Sequence, residues 1–297
     1  MLATVTLLAA IIWVGPYLWL QPRVEALPEI VPFSPEDWMS FVPKSAEFVA
    51  YVNYRGAFEA SGNYSLFGVG PLVEIYAPQF VIYPASVEYE VSITLPSEGS
   101  QEASPTVTVL RIDSNDLRTL DQALQSSALV RRAEHNGHAI YTLLFRRREL
   151  EAQLQLGNIA IEGEHLILTQ APGNVQSIAK ILDTAGYEPG QFFSRQSART
   201  ALYASGGTKG PYLALFVATF PTQIEGANIA MKSVSADSQT VTSQIAFSFD
   251  SQEVAKTRYG DVKRLYSGGK DYWIMGPFDV VVFEEDAARL ADQLRGL

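Results

Sequence analysis

The chain has three histidines, and two of them, His135 and His138, flank an Asn136-Gly137 dipeptide. Asn-Gly is the strongest short signal for a two-residue hairpin turn, so these histidines are predicted to face each other across two strands, about 5.5 Å apart. A pair so placed could share a metal ion. Zinc, however, takes three or four protein ligands at about 2 Å, and only Glu134 and the distant His165 could complete the set. Exposed turn histidines are the plainer expectation, and no metal or cofactor is expected.

The same turn sets Arg131 opposite Thr142 and Arg132 opposite Tyr141, with Arg146, Arg147 and Arg148 just beyond the ladder. Part of the chain's complement of 22 Lys and Arg thus gathers at one hairpin base. Such a cluster could grip a partner's carboxylates, a phosphate or anionic lipid headgroups. Pairing with Glu134, Glu149 and Glu151 is the simpler outcome. A second candidate binding surface is aromatic: Tyr64, Phe67 and Tyr76 lie with Tyr54, Phe58, Phe80 and Tyr83 in a Gly- and Pro-containing stretch. Aromatic rings give large contact area at low entropic cost. A helix or lid that packs them inward is the competing expectation.

Enzyme motifs fail one by one. Ser205-Gly206-Gly207-Thr208-Lys209-Gly210 follows a predicted helix and precedes a strand, the reverse of a P-loop, and Gly68-Val69-Gly70 lacks the third glycine of a dinucleotide fingerprint. Neither G-x-S-x-G nor H-E-x-x-H occurs. With no cysteine at all, thiol catalysis, disulfides and iron-sulfur clusters are excluded. The 32 acids make a carboxylate-dependent hydrolase the catalytic alternative. A net charge of −10 argues against nucleic acid as a partner.

These residues need elements to hold them, and the sequence shows a duplicated set. A β-rich run over 106–112 ends in Asp113-Ser114-Asn115-Asp116-Leu117, and another over 242–249 ends in Asp250-Ser251-Gln252-Glu253-Val254. Both read as a strand followed by a capped helix start, carrying Leu117, Leu120 and Leu124 in one case and Val254, Tyr259, Val262 and Tyr266 in the other. Strands over 48–53 and 213–218 precede them. Hairpins over 158–169 and 272–283, each leading to a helix, follow. Residues 87–95 alternate as a half-buried strand. The fold expected is α+β: two tandem, pseudo-duplicated modules over 42–190 and 191–297, of mainly antiparallel sheet with helices on one face.

Residues 2–20 carry no charge and as a helix would span about 28 Å, close to the roughly 30 Å of a bilayer core. An uncleaved transmembrane anchor over 1–21 is expected, with a cleaved signal peptide or a buried core helix as alternatives. Pro22, Pro28, Pro32 and Pro35 then suggest an extended stalk, and Ser34-Pro35-Glu36-Asp37 a helix start whose Trp38, Met39 and Phe41 seal the domain base.

The stretch Val42-Pro43-Lys44-Ser45-Ala46-Glu47-Phe48-Val49-Ala50-Tyr51-Val52-Asn53, with the later Glu162-Gly163-Glu164-His165-Leu166-Ile167-Leu168 hairpin, resembles membrane-anchored extracytoplasmic proteins of unknown function. The resemblance implies location and fold and carries no chemistry. Taken together, a single-pass membrane protein is expected, with lipid contacted through residues 2–20 and a protein partner. It would act by contact, as a binding or scaffold module or an accessory subunit. A filament-forming surface subunit is a further alternative.

Overall fold

The computed structural model describes residues 22–56, 86–97, 104–128, 130–143, 157–169, 175–185, 191–207, 213–219, 224–236 and 240–286. They form one sheet of 13 strands: β1 (Arg23–Glu25), β2 (Phe48–Asn53), β3 (Val87–Thr94), β4 (Thr106–Ile112), β5 (Val130–His135), β6 (His138–Leu143), β7 (Asn158–Glu162), β8 (His165–Thr169), β9 (Ala214–Ala218), β10 (Ile229–Ala236), β11 (Thr240–Ser248), β12 (Asp271–Met275) and β13 (Phe278–Asp286). Their spatial order is β1-β12-β13-β11-β10-β9-β2-β3-β4-β8-β7-β6-β5. Every pairing is antiparallel except β1 with β12, which is parallel.

The expected α+β pair of tandem modules is thereby corrected. On either side of the central β2–β9 pairing the strands follow matching orders, β2-β3-β4-β8-β7 and β9-β10-β11-β13-β12. The two sequence halves are thus two ends of a single sheet. The reason is hydrophobic: Tyr51 and Val49 on β2 and Leu215 and Val217 on β9 belong to one buried cluster that runs through the join. Separating the halves would expose it.

Helices cover both faces, another departure from the expectation of one. On the first face lie a short 3₁₀ helix (Asp37–Phe41) and α2 (Val175–Thr184), which bury Trp38, Ile178 and Ile181 in one cluster with Val107, Val109 and Ile167, and α3 (Gln196–Ala204), whose Ala198 and Ala201 lie over β10, β11 and β13 in the same cluster. On the second face α1 (Ser114–Ser126) sets Leu117, Leu120 and Leu124 onto Leu110, Ile112 and Leu166. At the other end of that face α4 (Gln252–Leu265) sets Ala255 and Val262 onto Phe247, Ile274 and Val281. Alternation along each strand sends neighbours to opposite faces, so β4 gives Val107 and Val109 to one cluster and Leu110 and Ile112 to the other.

Helix starts follow local chemistry. Asp113 caps α1, its side chain accepting from the Asn115 N–H at 2.9 Å. In the matching position Asp250 instead accepts from Asn228 Nδ2 at 2.7 Å, and Ser251 caps α4 by accepting from Val254 N–H. Near the N-terminus no side chain caps the 3₁₀ helix, which begins at Asp37 after an extended Glu36. Residues 23–25 of the Pro-spaced segment add β1 to the sheet, and Arg23 Nη1 reaches Asp271 Oδ2 at 3.0 Å.

The transmembrane, signal-anchor and single-pass expectations, with the membrane localisation drawn from them, are also corrected: among the described residues no helix is long and apolar enough to cross a membrane. Residues 2–20, on which that expectation fell, lie outside the described residues.

Candidate functional site

A polar rank crosses one end of the first face. Register places Tyr89 of β3 beside Arg111 of β4, Arg111 beside His165 of β8, and His165 beside Glu162 of β7. A β-bulge between Val87 and Tyr89 re-aims the chain locally, and Glu88 Oε2 comes to lie 3.1 Å from Arg111 Nε. Above the rank sits the 3₁₀ helix. Its Asp37 accepts from Arg111 Nη1, while Arg111 Nη2 donates to Glu164 Oε2 at 2.8 Å. One guanidinium thus joins three carboxylates drawn from three separate elements.

His165 completes the centre. Its Nε2 lies 2.7 Å from the Tyr89 hydroxyl and 3.7 Å from Asp37 Oδ2, and its ring packs on Phe41 with centroids 4.6 Å apart. Burial alone would raise the Asp37 pKa. Hydrogen bonds from His165 and Tyr89, the Arg111 charge and the Trp38 N–H outweigh that effect and bring it to about 2. The wall behind is stiff: Trp38 is fully buried, stacked on Tyr51 at 4.8 Å and edge-on to Phe193 at 5.5 Å. Pro35, Glu36, Ser40, Gly163 and Ala185 close a cleft of about 380 Å³ around these groups.

His135 and His138 pair directly, as the turn demands: the register sets them opposite each other, and Asn136 and Gly137 take φ of 49° and 86°. They do not share a ligand. His138 Nδ1 lies 2.6 Å from Glu162 Oε2, and His135 Nε2 lies 2.7 Å from Asp183 Oδ1 on α2. Asn136 Nδ2 donates to the same Asp183 oxygen at 2.8 Å, and these contacts hold the Asp183 pKa below its ordinary value, His135 foremost. Among the described residues no group of three or more metal-ligating side chains converges. The histidines therefore tie the hairpin tip to β7 and α2.

Arg131 and Arg132 stand opposite Thr142 and Tyr141, on the outermost strand of the sheet and away from the cleft. Arg146, Arg147 and Arg148 and the aromatic candidates Tyr64, Phe67 and Tyr76 lie outside the described residues. Sequence reasoning did not find the Asp37–Arg111 centre. Its one local signal is a lone cation, Arg111, closing an otherwise uncharged β run.

A second cleft, of about 520 Å³, opens at the other end of the sheet between Lys44, Arg195, Thr219, Asn228 and Ser248. There the Arg195 guanidinium donates to the Lys44 carbonyl and lies over the Phe192 ring at 5.5 Å.

No protein-family model matches the chain, and no curated protein sequence matches it. Among solved structures it is similar to TP0453 in crystal form III, with 9% identity, a TM-score of 0.49, and coverage of 90% of this chain and 100% of that one. It is likewise similar to TP0453 in crystal form I, with 8% identity, a TM-score of 0.48, and coverage of 89% and 98%. Similarity at this level carries nothing about function.

Proposed function

We propose that the protein acts by contact, as a binding or scaffold module or an accessory subunit of an assembly, with the Asp37–Arg111 cleft as its recognition surface. The observation that carries this is the mutual engagement of the cleft's charges. Arg111 is held by Asp37, Glu88 and Glu164, and His165 by Tyr89. Groups locked in this way form a preorganised polar surface, which lowers the ordering cost of binding. The hydrolase alternative needs two carboxyls of opposed protonation beside one bond. Asp37 is lowered to about 2, whereas burial raises Asp279 to about 8 and raises Glu90 as well. Asp279 faces the side of the sheet opposite the Asp37 cleft, which favours the contact reading.

The test recovers partners with tagged full-length chain and crosslinks them through carboxylates. Crosslinks concentrated at Glu36, Glu162 and Glu164 are expected, with recovery lost in Glu164→Arg while the circular dichroism spectrum stays that of the folded chain. Partners whose recovery ignores cleft substitutions would remove the cleft from the proposal. Turnover of a substrate that depends on Asp37 would remove the proposal itself.

A further inference from the structure

β5 ends the sheet, and among the described residues no strand pairs its outer edge. Arg131, Arg132, Ala133 and Glu134 are exposed in succession along it. In a two-residue hairpin the residues flanking the turn form a hydrogen-bonded pair and the pattern alternates from there. His135, Ala133 and Arg131 therefore bond inward to β6, and the backbone N–H and C=O of Arg132 and Glu134 point outward. Among the described residues neither Arg132 nor Glu134 makes an ion pair. Both lie on the face shared with Tyr141 and Ala139, their partners across the hairpin.

We propose that this edge is the interface of a two-fold homodimer. β5 pairs antiparallel with the same strand of a second copy about Ala133, setting Arg132 against the partner's Glu134 and Glu134 against the partner's Arg132. The register follows from the backbone. Outward-pointing residues must face outward-pointing residues, which leaves two central alignments. One sets Arg132 against the partner's Arg132, and like charges directly opposite repel. The other sets opposite charges together twice, with two hydrogen-bonded pairs that each exchange both N–H···O bonds. A two-fold axis through Ala133 perpendicular to the sheet keeps each face continuous, so no side chain is turned to the wrong side.

A second copy is the fitting occupant because the Arg-x-Glu pattern is complementary to itself only when read in the reverse direction. An edge carrying a single sign of charge would be blunted against every copy of itself. This edge carries both signs. The same register brings Arg131 against the partner's His135, on the face where each copy's His135 lies beside the Asp183 carboxylate. The inference is independent of the cleft, which lies elsewhere on the sheet.

The test uses the full-length chain in size-exclusion chromatography with light scattering, over a dilution series bracketing about 1 µM. A dimer is expected. Arg132→Glu and Glu134→Arg each weaken it about tenfold or more, and the double reversal Arg132→Glu with Glu134→Arg restores it. Because the chain contains no cysteine, single-cysteine variants report the register directly. Facing Ala133 residues form a non-hydrogen-bonded pair with Cα atoms about 4.5 Å apart, within disulfide reach. Oxidised Ala133→Cys is therefore expected as a covalent dimer, and oxidised Arg132→Cys is not. A monomer throughout the dilution series, a dimer indifferent to the single reversals, or crosslinking at Arg132→Cys in place of Ala133→Cys would overturn the proposal.

Discussion

Asp279 is fully buried on β13, and neither carboxyl oxygen has a hydrogen-bond partner. It faces Phe247 and Ile274 on the neighbouring strands, and the Arg258 guanidinium of α4 is engaged with Glu225 and Asp261. Burial pushes its carboxyl from 3.8 up to about 8. The sign of the consequence is fixed by linkage: between these two values the folded chain keeps a proton that the unfolded chain releases, so stability falls as pH rises from about 4 to about 8. Each pH unit costs about 1.4 kcal/mol, giving roughly 4 kcal/mol at pH 7 and about 6 kcal/mol at the plateau, as upper values. Asp279→Asn keeps the shape and cannot ionise. Urea unfolding of both proteins from pH 4 to pH 9 is expected to show equal stability at the acid end and a growing advantage for Asn up to about pH 8. Comparing the two chains cancels every other titration. A difference that stays constant across that range, or a wild type that is the more stable at pH 7, would refute the reasoning. Burial raises the Glu90 carboxyl as well, although Tyr54 at 2.7 Å and Ser92 at 3.0 Å donate to it. Glu90→Gln is therefore expected to shift stability with pH in the same direction as Asp279→Asn.

Arg111→Met should raise the Asp37 pKa from about 2, since it removes the nearby positive charge while leaving the His165 and Tyr89 hydrogen bonds, read by carboxyl carbon NMR. The sign is opposite to that of Asp279: the Asp37 contribution is present above its unfolded value near 3.8 and is lost as pH falls towards 2, so the variant keeps a smaller acid-side dependence carried by His165 and Tyr89. Trp38→Ala removes a fully buried ring stacked on Tyr51 and is expected to cost about 3–5 kcal/mol in denaturant unfolding. It should also loosen the cleft wall, seen as faster amide exchange around Asp37.

Period and turn chemistry made much of the local structure legible. The Asn136-Gly137 turn set the His135–His138 pairing and the opposition of Arg131 and Arg132 to Thr142 and Tyr141, because a two-residue loop leaves one register. The strand runs near 48–53, 106–112 and 242–249 were readable from β-branched content. β10 was not foreseen: Lys232, Ser233 and Ser235 break its apolar pattern, and Ser233 is buried only because its hydroxyl donates to the Ser205 carbonyl. The join of the halves was illegible for a different reason. β2 and β9 carry no local mark that they pair with each other, so a continuous sheet and two modules look alike in sequence. The cleft escaped because Asp37, Arg111 and His165 are far apart in the chain and meet only through strand order.

The central pairing also sets the order in which the molecule can be made. Phe48 lies opposite Ala218, so closing the middle of the sheet means closing a loop of 170 residues, 218 less 48. Contacts of such separation form slowly. During synthesis at about 5–20 residues per second, β2 therefore waits roughly 8–34 seconds for its neighbour to be made, its outer edge unpaired and its half of the core open. A nascent chain of this design is most vulnerable to edge-to-edge association in that interval, and anything that shields β2 until β9 arrives should raise the yield of folded protein.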